Sequence, residues 1–494
     1  MAVKRVLART AVSLTVLGTL AALVLGVAAS SAITPPGSVD TTGLRAAMSI
    51  EGIRDHLVAL NAIARDNGGT RAVGTPGFQA SVDYARERLA ADGYQVTVQS
   101  FQVPYFNEVA PPSLSSGGHA FVPETDIRTM SYSGSGDVNA AVQPVGVVLP
   151  PTLNPTSTSG CAPGDFAAFS RGAIALLQRG GCQFEQKAMN AKNAGAVAVL
   201  IMNEGQPDRS DLLSGSLSNP GVGIPVLGLT YAAGAELART PDAPARVATT
   251  VTSELRTTAN VIADGRNISG AASDRVVMVG AHLDSVPAGP GIDDDGSGVA
   301  VVLQLADALA REEIVPRNRI RFALWGAEEM GMLGSQHYVE SLTPEQIADI
   351  SVYLNFDMLA SPNYVRFVFD GDGSAVGNPG PPGSAAVERT FSEYLTSQGL
   401  AFEPTELNGR SDYGPFASAG VPVGGLFSGA EELKTQDQAV RYGGTAGKPL
   451  DGCYHQACDT IDNINDEVLA QLGGAAADAT LRMLMGAPDP RLSR

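Results

Sequence analysis

Two histidines and several carboxylates recur in short, glycine-bounded motifs in the second half of the sequence. Ala281-His282-Leu283-Asp284 comes first, then Gly291-Ile292-Asp293-Asp294-Asp295-Gly296-Ser297-Gly298. Trp325-Gly326-Ala327-Glu328-Glu329, Asn355-Phe356-Asp357 and Cys453-Tyr454-His455-Gln456-Ala457-Cys458 follow. Imidazoles and carboxylates are ligands for hard-to-borderline divalent cations; this set is sufficient for one or two, with zinc the first candidate. On residue type alone, Asp293, Asp294 and Asp295 are all available as ligands. Each motif by itself is ordinary, since a Glu-Glu pair is usually solvated and a lone histidine usually structural. Their shared position gives them weight: they sit at the ends of apolar runs.

Those runs cover 276–280, 320–324, 352–356, 365–369 and 421–426, with helical stretches at 299–311 and 385–398 between them. Buried apolar strands separated by helices imply an α/β fold with a mixed, mainly parallel central sheet flanked by helices. Open sheets of this kind bind ligands beyond the carboxyl ends of their strands, where the motifs fall. Upstream, 41–64 and 80–92 carry helical spacing, and 94–103 alternates as a strand does. A Ser/Gly cluster at 131–136 marks a boundary. From about 138 to 254 the text changes to short Val/Ala/Ile/Leu strands, turn residues and one Ala-rich helix near 185–194. The middle segment is therefore expected to be an insertion.

The run AHLDSVPAGPGIDDDGSG, with FALWGAEEMGMLGS, NFDM, GRSDYGPF and CYHQACDT after it, resembles the secreted di-zinc aminopeptidases of leucine-aminopeptidase type. Glutamate carboxypeptidase II and the transferrin receptor belong to the same superfamily, of zinc exopeptidase fold. The resemblance covers 276–462. It implies two zinc ions per chain, one held by His282 and Asp357, the other by Glu329 and His455, with Asp294 bridging as the second acid after Gly-Ile. It implies Glu328 as general base, Tyr454 near the carbonyl oxygen, and Asp284 as acceptor for the second ring N–H of His282. It also pairs Cys453 with Cys458 around His455. Calcium as a further cation is compatible, with no residues named for it. Asp459 and Asp462 read as helix caps, and Arg410-Ser411-Asp412-Tyr413 borders the substrate pocket in the family. His56, His119 and His337 read as surface or structural. The insertion resembles a protease-associated domain, small and β-rich, carried by 160–166, 172–184 and 187–203. Cys161 and Cys182 lie within it, placing one cysteine pair in each domain.

The implied activity is hydrolysis of the N-terminal peptide bond of peptide or protein substrates with a free N-terminus, with a preference for Leu-like or other apolar N-terminal residues. A carboxypeptidase of the superfamily would need gathered arginines. A glutaminyl cyclase or a non-catalytic binding protein would have lost metal ligands, and here the set is complete.

The expected domains are 41–134 with 256–490 for the peptidase, and 135–255 for the insertion. The 494 residues hold 33 Lys and Arg against 51 Asp and Glu, and a chain of net charge −18 repels phosphate backbones, so nucleic acid is excluded as a partner. Four cysteines are too few for a disulfide-built scaffold, while 44% apolar residues supply packed cores. Lys4, Arg5 and Arg9, an apolar run over 11–29, and Ser30-Ser31-Ala32 read as a cleaved secretory signal, 1–32, with an uncleaved anchor as the alternative. Cleavage leaves a secreted, extracellular chain with no stable membrane anchor. Loss of the three positive charges takes −18 to −21.

Overall fold

The computed structural model describes residues 39–265, 275–312, 314, 316–486 and 490; the expected signal, 1–32, lies outside them. A twisted sheet runs in the order Glu403–Thr405, Phe367–Phe369, Val423–Phe427, Ile350–Phe356, Val276–His282, Arg319–Trp325, Pro244–Asp264 and Gln95–Ser116. The four strands at its centre, Val423–Phe427 to Arg319–Trp325, are parallel. Antiparallel neighbours flank them on both sides. The sheet is mixed with a parallel centre, as expected.

Alternation along the strands divides two cores. Val277 and Val279 face helices Ile50–Asp66, Pro76–Ala91, Gly296–Arg311 and Asp466–Leu484. Val276 and Met278 face the other layer, built on Trp325, Tyr338, Tyr353 and Phe416. Tyr353 and Phe416 stack there at 4.2 Å, and Trp325 Nε1–H donates to the Tyr353 hydroxyl. The helix expected over 41–64 is two, Thr42–Ala47 and Ile50–Asp66, because the Ser49 hydroxyl accepts from Gly52 N–H and starts a new helix. The helix Asp466–Leu484 has no counterpart among the helical stretches expected from sequence. Six of its fourteen buried residues are alanine or glycine, which mark apolar periodicity weakly.

The insertion has its own parallel strands, Gly136–Pro144, Ile174–Gln178, Ala198–Met202 and Val226–Leu229, with Ile127–Thr129 antiparallel at the edge. Helices Phe184–Ala194 and Tyr231–Ala238 pack on it. The expected cuts at 134/135 and 255/256 fall just before the strand Gly136–Pro144 and within Pro244–Asp264. Gln95–Ser116 and Pro244–Asp264 form one long antiparallel ribbon passing from the peptidase sheet into the insertion. Leu114, Phe121 and Ile127 pack with Ile174, Leu200 and Leu227, so the chain from about 114 onward belongs to the insertion's core. The register of a continuous ladder, not a loop, carries the chain across. Cys161–Cys182 and Cys453–Cys458 are disulfides.

Candidate metal centre

His282 ends the strand Val276–His282, Asp357 directly follows Ile350–Phe356, and Glu328 and Glu329 lie just past Arg319–Trp325. Asp294 occupies the turn into the helix Gly296–Arg311. That turn needs glycine at Gly291, where φ is +63° and a Cβ would lie 2.4 Å from the Asp294 carbonyl oxygen. His455 arrives on the loop closed by Cys453–Cys458, with φ 57° and its ring stacked on Tyr454 at 3.8 Å.

These residues converge. His282 Nε2 lies 3.0 Å from Asp294 Oδ1 and 3.6 Å from Asp357 Oδ1. His455 Nε2 lies 3.1 Å from the other Asp294 oxygen and 3.0 Å from Glu329 Oε2. The second Glu329 oxygen is buried with no hydrogen-bond partner. Glu328 Oε2 stands 4.0 Å from His282 Nε2. Tyr454 lines a cavity of about 100 Å³ together with His282, Asp294, Glu328 and Asp357.

The three consecutive aspartates separate by what they accept. Asp295 caps the helix through Gly298 N–H and also accepts from the main-chain N–H of His282 and Met358. Asp293 accepts from Ala360 N–H and the Ser361 hydroxyl. Among the three, Asp294 turns its carboxylate to the imidazoles, while its own N–H is held by Asp459. Asp459 is therefore no helix cap: its two oxygens accept from Asp293 N–H and Asp294 N–H at 2.8 and 3.1 Å, and Thr460 and Asn465 do the capping. Asp284 also differs from expectation. The His282 Nδ1 contact is to the main-chain oxygen of Asp284, at 3.0 Å, with its carboxylate 3.9 Å away. That carboxylate accepts instead from Glu328 N–H and Glu329 N–H, fixing the turn that carries both glutamates.

Burial would raise Asp294, but hydrogen bonds from His282 and His455 hold its carboxyl well below the ordinary range. Burial would lower His455, yet the bonds to Asp294 and Glu329 carry it up to about 10. Burial raises Glu329 to about 7, with Asp294 adding to it, and lifts Glu328 well above the usual carboxylate value. Protein alone thus gathers carboxylates that need positive charge, and protons on the imidazoles supply it. A divalent cation takes the place of such protons. Two imidazoles with Asp294, Glu329 and Asp357 are a donor set that fits zinc, and the unpartnered Glu329 oxygen agrees.

One contributor is not legible in the sequence. Arg71, fully buried, donates from Nε to Pro290 O at 2.9 Å and from its terminal nitrogens to Leu283 O and Gly291 O. It joins the His282 and Asp294 loops, and no local pattern around Thr70-Arg71-Ala72 announces it. The Ser411 hydroxyl donates to Asp357 Oδ2 and accepts from Asn355 Nδ2, so the Arg410–Tyr413 stretch reaches the site through Ser411. His56, His119 and His337 lie elsewhere, against Tyr84, Glu236 and Phe101 respectively.

A family model described as Peptidase family M28 matches residues 260–480, and one described as PA domain matches 145–237. An aminopeptidase of Pseudomonas aeruginosa (strain UCBPP-PA14) is 46% identical over 447 residues, covering 89% of this chain and 81% of its own length. The Mycobacterium tuberculosis (strain H37Rv) protein named probable lipoprotein aminopeptidase LpqL is 42% identical, over 90% of this chain and 87% of its own. Among solved structures, BSAP, a zinc aminopeptidase from Bacillus subtilis, matches with a TM-score of 0.56 at 26% identity, covering 90% of this chain and 97% of its own. Relatives of this identity and coverage, together with the pair of domains into which this chain folds, decide its membership: the chain belongs to peptidase family M28 and is a metallo-aminopeptidase with an inserted PA domain.

Proposed function

We propose that the chain is a two-zinc aminopeptidase removing apolar, Leu-like N-terminal residues from peptides outside the cell. The observation that carries this is Asp294, whose two oxygens each meet a different imidazole, the arrangement of a bridging carboxylate. His282 and Asp357 would hold one ion, and Glu329 and His455 the other. Bound there, zinc supplies a polarised carbonyl and a water of lowered pKa. Glu328, desolvated and just beyond the ligand set, takes the proton of the attacking water and returns it to the departing amine. Tyr454 has its pKa raised by burial and by nearby carboxylates, so its phenol stays a donor toward the developing oxyanion. Asp284 holds the Glu328–Glu329 turn in place.

Met358, Phe369 and Phe427 line the small cavity and suit an apolar N-terminal side chain. Glu406, Glu431 and Glu432 line it as well, and Arg410 is paired with Glu431 at 3.1 Å. That charge balance favours an ammonium group over a C-terminal carboxylate, which counts against the carboxypeptidase reading. Two disulfides suit an oxidising compartment. Among the described residues no helix is long and apolar enough to cross a membrane.

Metal analysis with Glu328→Gln tests the mechanism. The variant is expected to keep about two zinc ions and to lose about 10²–10⁴-fold in kcat on leucyl substrates. A zinc-free active protein, or an unimpaired variant, defeats the reading.

A further inference from the structure

A second cavity, of about 390 Å³, reaches the centre by a different route. The small cavity is lined by His282, Asp294, Glu328 and Asp357, whereas the larger one touches Asp284 and Glu329. Its inner wall includes Val73, Val286 and Met330, and its outer wall includes Phe106 on the ribbon and Tyr132 in the insertion. Those two rings meet edge to face at 5.8 Å. Tyr132 is held at φ 66°, a conformation that bulky residues rarely adopt, and the neighbouring N–H groups of Ser131 and Ser133 are bonded to Gly215 O and Met130 O. The aromatic wall is thus built on a fixed backbone. Among the described residues, the lining contains no Lys or Arg, and its carboxylates are those of the centre itself.

An aminopeptidase substrate has one residue before the bond that breaks and a chain of any length after it. The small cavity accommodates a single side chain, and the larger one has room for the residue on the far side of the bond. We propose that the larger cavity is the subsite for the second residue of the substrate, that Phe106 and Tyr132 are its outer wall, and that it favours an apolar or aromatic side chain there. This rests on the aminopeptidase reading and gives the inserted domain a share in specificity.

The test compares leucinamide, whose leaving group is ammonia and cannot reach the wall, with the amides of Leu-Phe, Leu-Gly and Leu-Asp. In the wild-type holoenzyme, kcat/KM for Leu-Phe-amide is expected to exceed that for the Gly and Asp amides by about tenfold or more. Tyr132→Gly, which suits the backbone, and separately Phe106→Ala should bring that ratio to within about threefold while leaving leucinamide turnover unchanged. Ratios that survive in both variants overturn the proposal, as does a wild type indifferent to the second residue. An equal fall on leucinamide and Leu-Phe-amide also overturns it, because the aromatic pair then supports the centre as a whole. Failure of the wild type to hydrolyse leucinamide at all would strike the aminopeptidase reading instead.

Discussion

Asp293, Asp294 and Asp295 have the same side chain and three different surroundings. Main-chain donors and a serine claim Asp293 and Asp295, which leaves Asp294 facing the imidazoles. Family resemblance selects Asp294, whereas residue type alone leaves all three open; the hydrogen bonds give the physical reason. Arg71 and Asp459 are the opposite case. They bond to main-chain groups far along the chain, and no short pattern can encode such a partnership. Arg71 donates to three ligand-loop carbonyls at once, and its charge lies near Asp284, Asp459, Asp295 and Asp294. Arg71→Met leaves those carbonyls without that partner and the carboxylates without that cation. Zinc affinity, read by competition with a chelator, is expected to fall about 10–100-fold, with Arg71→Lys recovering part of it. Unchanged affinity in Arg71→Met would show that the loops hold themselves.

Strands that end in chemistry are the most readable elements. Continuous apolar runs mark a strand buried on both faces, and the motif begins where the run stops. The helix Gly296–Arg311 is readable for a related reason: it approaches so closely that a Cβ at Gly298 would lie 2.1 Å from the Phe356 carbonyl oxygen, which leaves glycine in the motif as a trace. The helix Asp466–Leu484 leaves no such trace, because alanine buries well without announcing a face. The loop carrying His455 is mostly exposed and is closed by a disulfide five residues apart. Replacing Cys453 and Cys458 by alanine frees that loop and, on the proposed two-zinc reading, is expected to weaken the zinc assigned to Glu329 and His455 by about tenfold or more, leaving the one assigned to His282 and Asp357 less affected. Stepwise zinc titration of the double variant reads the two affinities separately; two ions bound as tightly as in the wild type would refute the role given to the disulfide.

For the whole molecule, a buried titratable group far from the site contributes to how stability depends on pH. His56, against the Tyr84 hydroxyl at 2.7 Å, is lowered from 6.5 to about 4 by burial, with Arg88 adding to the effect. Between those values the unfolded chain takes up a proton that the folded chain refuses. Stability from this group is complete above about pH 6.5 and is lost as pH falls toward 4, on the order of 3 kcal/mol in all. Denaturant unfolding across this range should show that loss, and His56→Gln, which keeps a polar partner for Tyr84, should flatten it. An identical slope in the variant would assign the acid sensitivity to other groups. At this scale the sequence yields the presence of an insertion but not its edges, since nothing local marks where a continuous strand changes cores.

The ribbon of Gln95–Ser116 and Pro244–Asp264 has one more consequence. Phe106 and Ser253 face each other across it, so the chain leaves for the insertion and returns at adjacent points. A tight turn joining those two positions would close the catalytic sheet upon itself with every register below it unchanged. In evolutionary terms the insertion hangs from a hairpin, so exchanging it would leave unshifted the register of the strands that carry the candidate metal ligands.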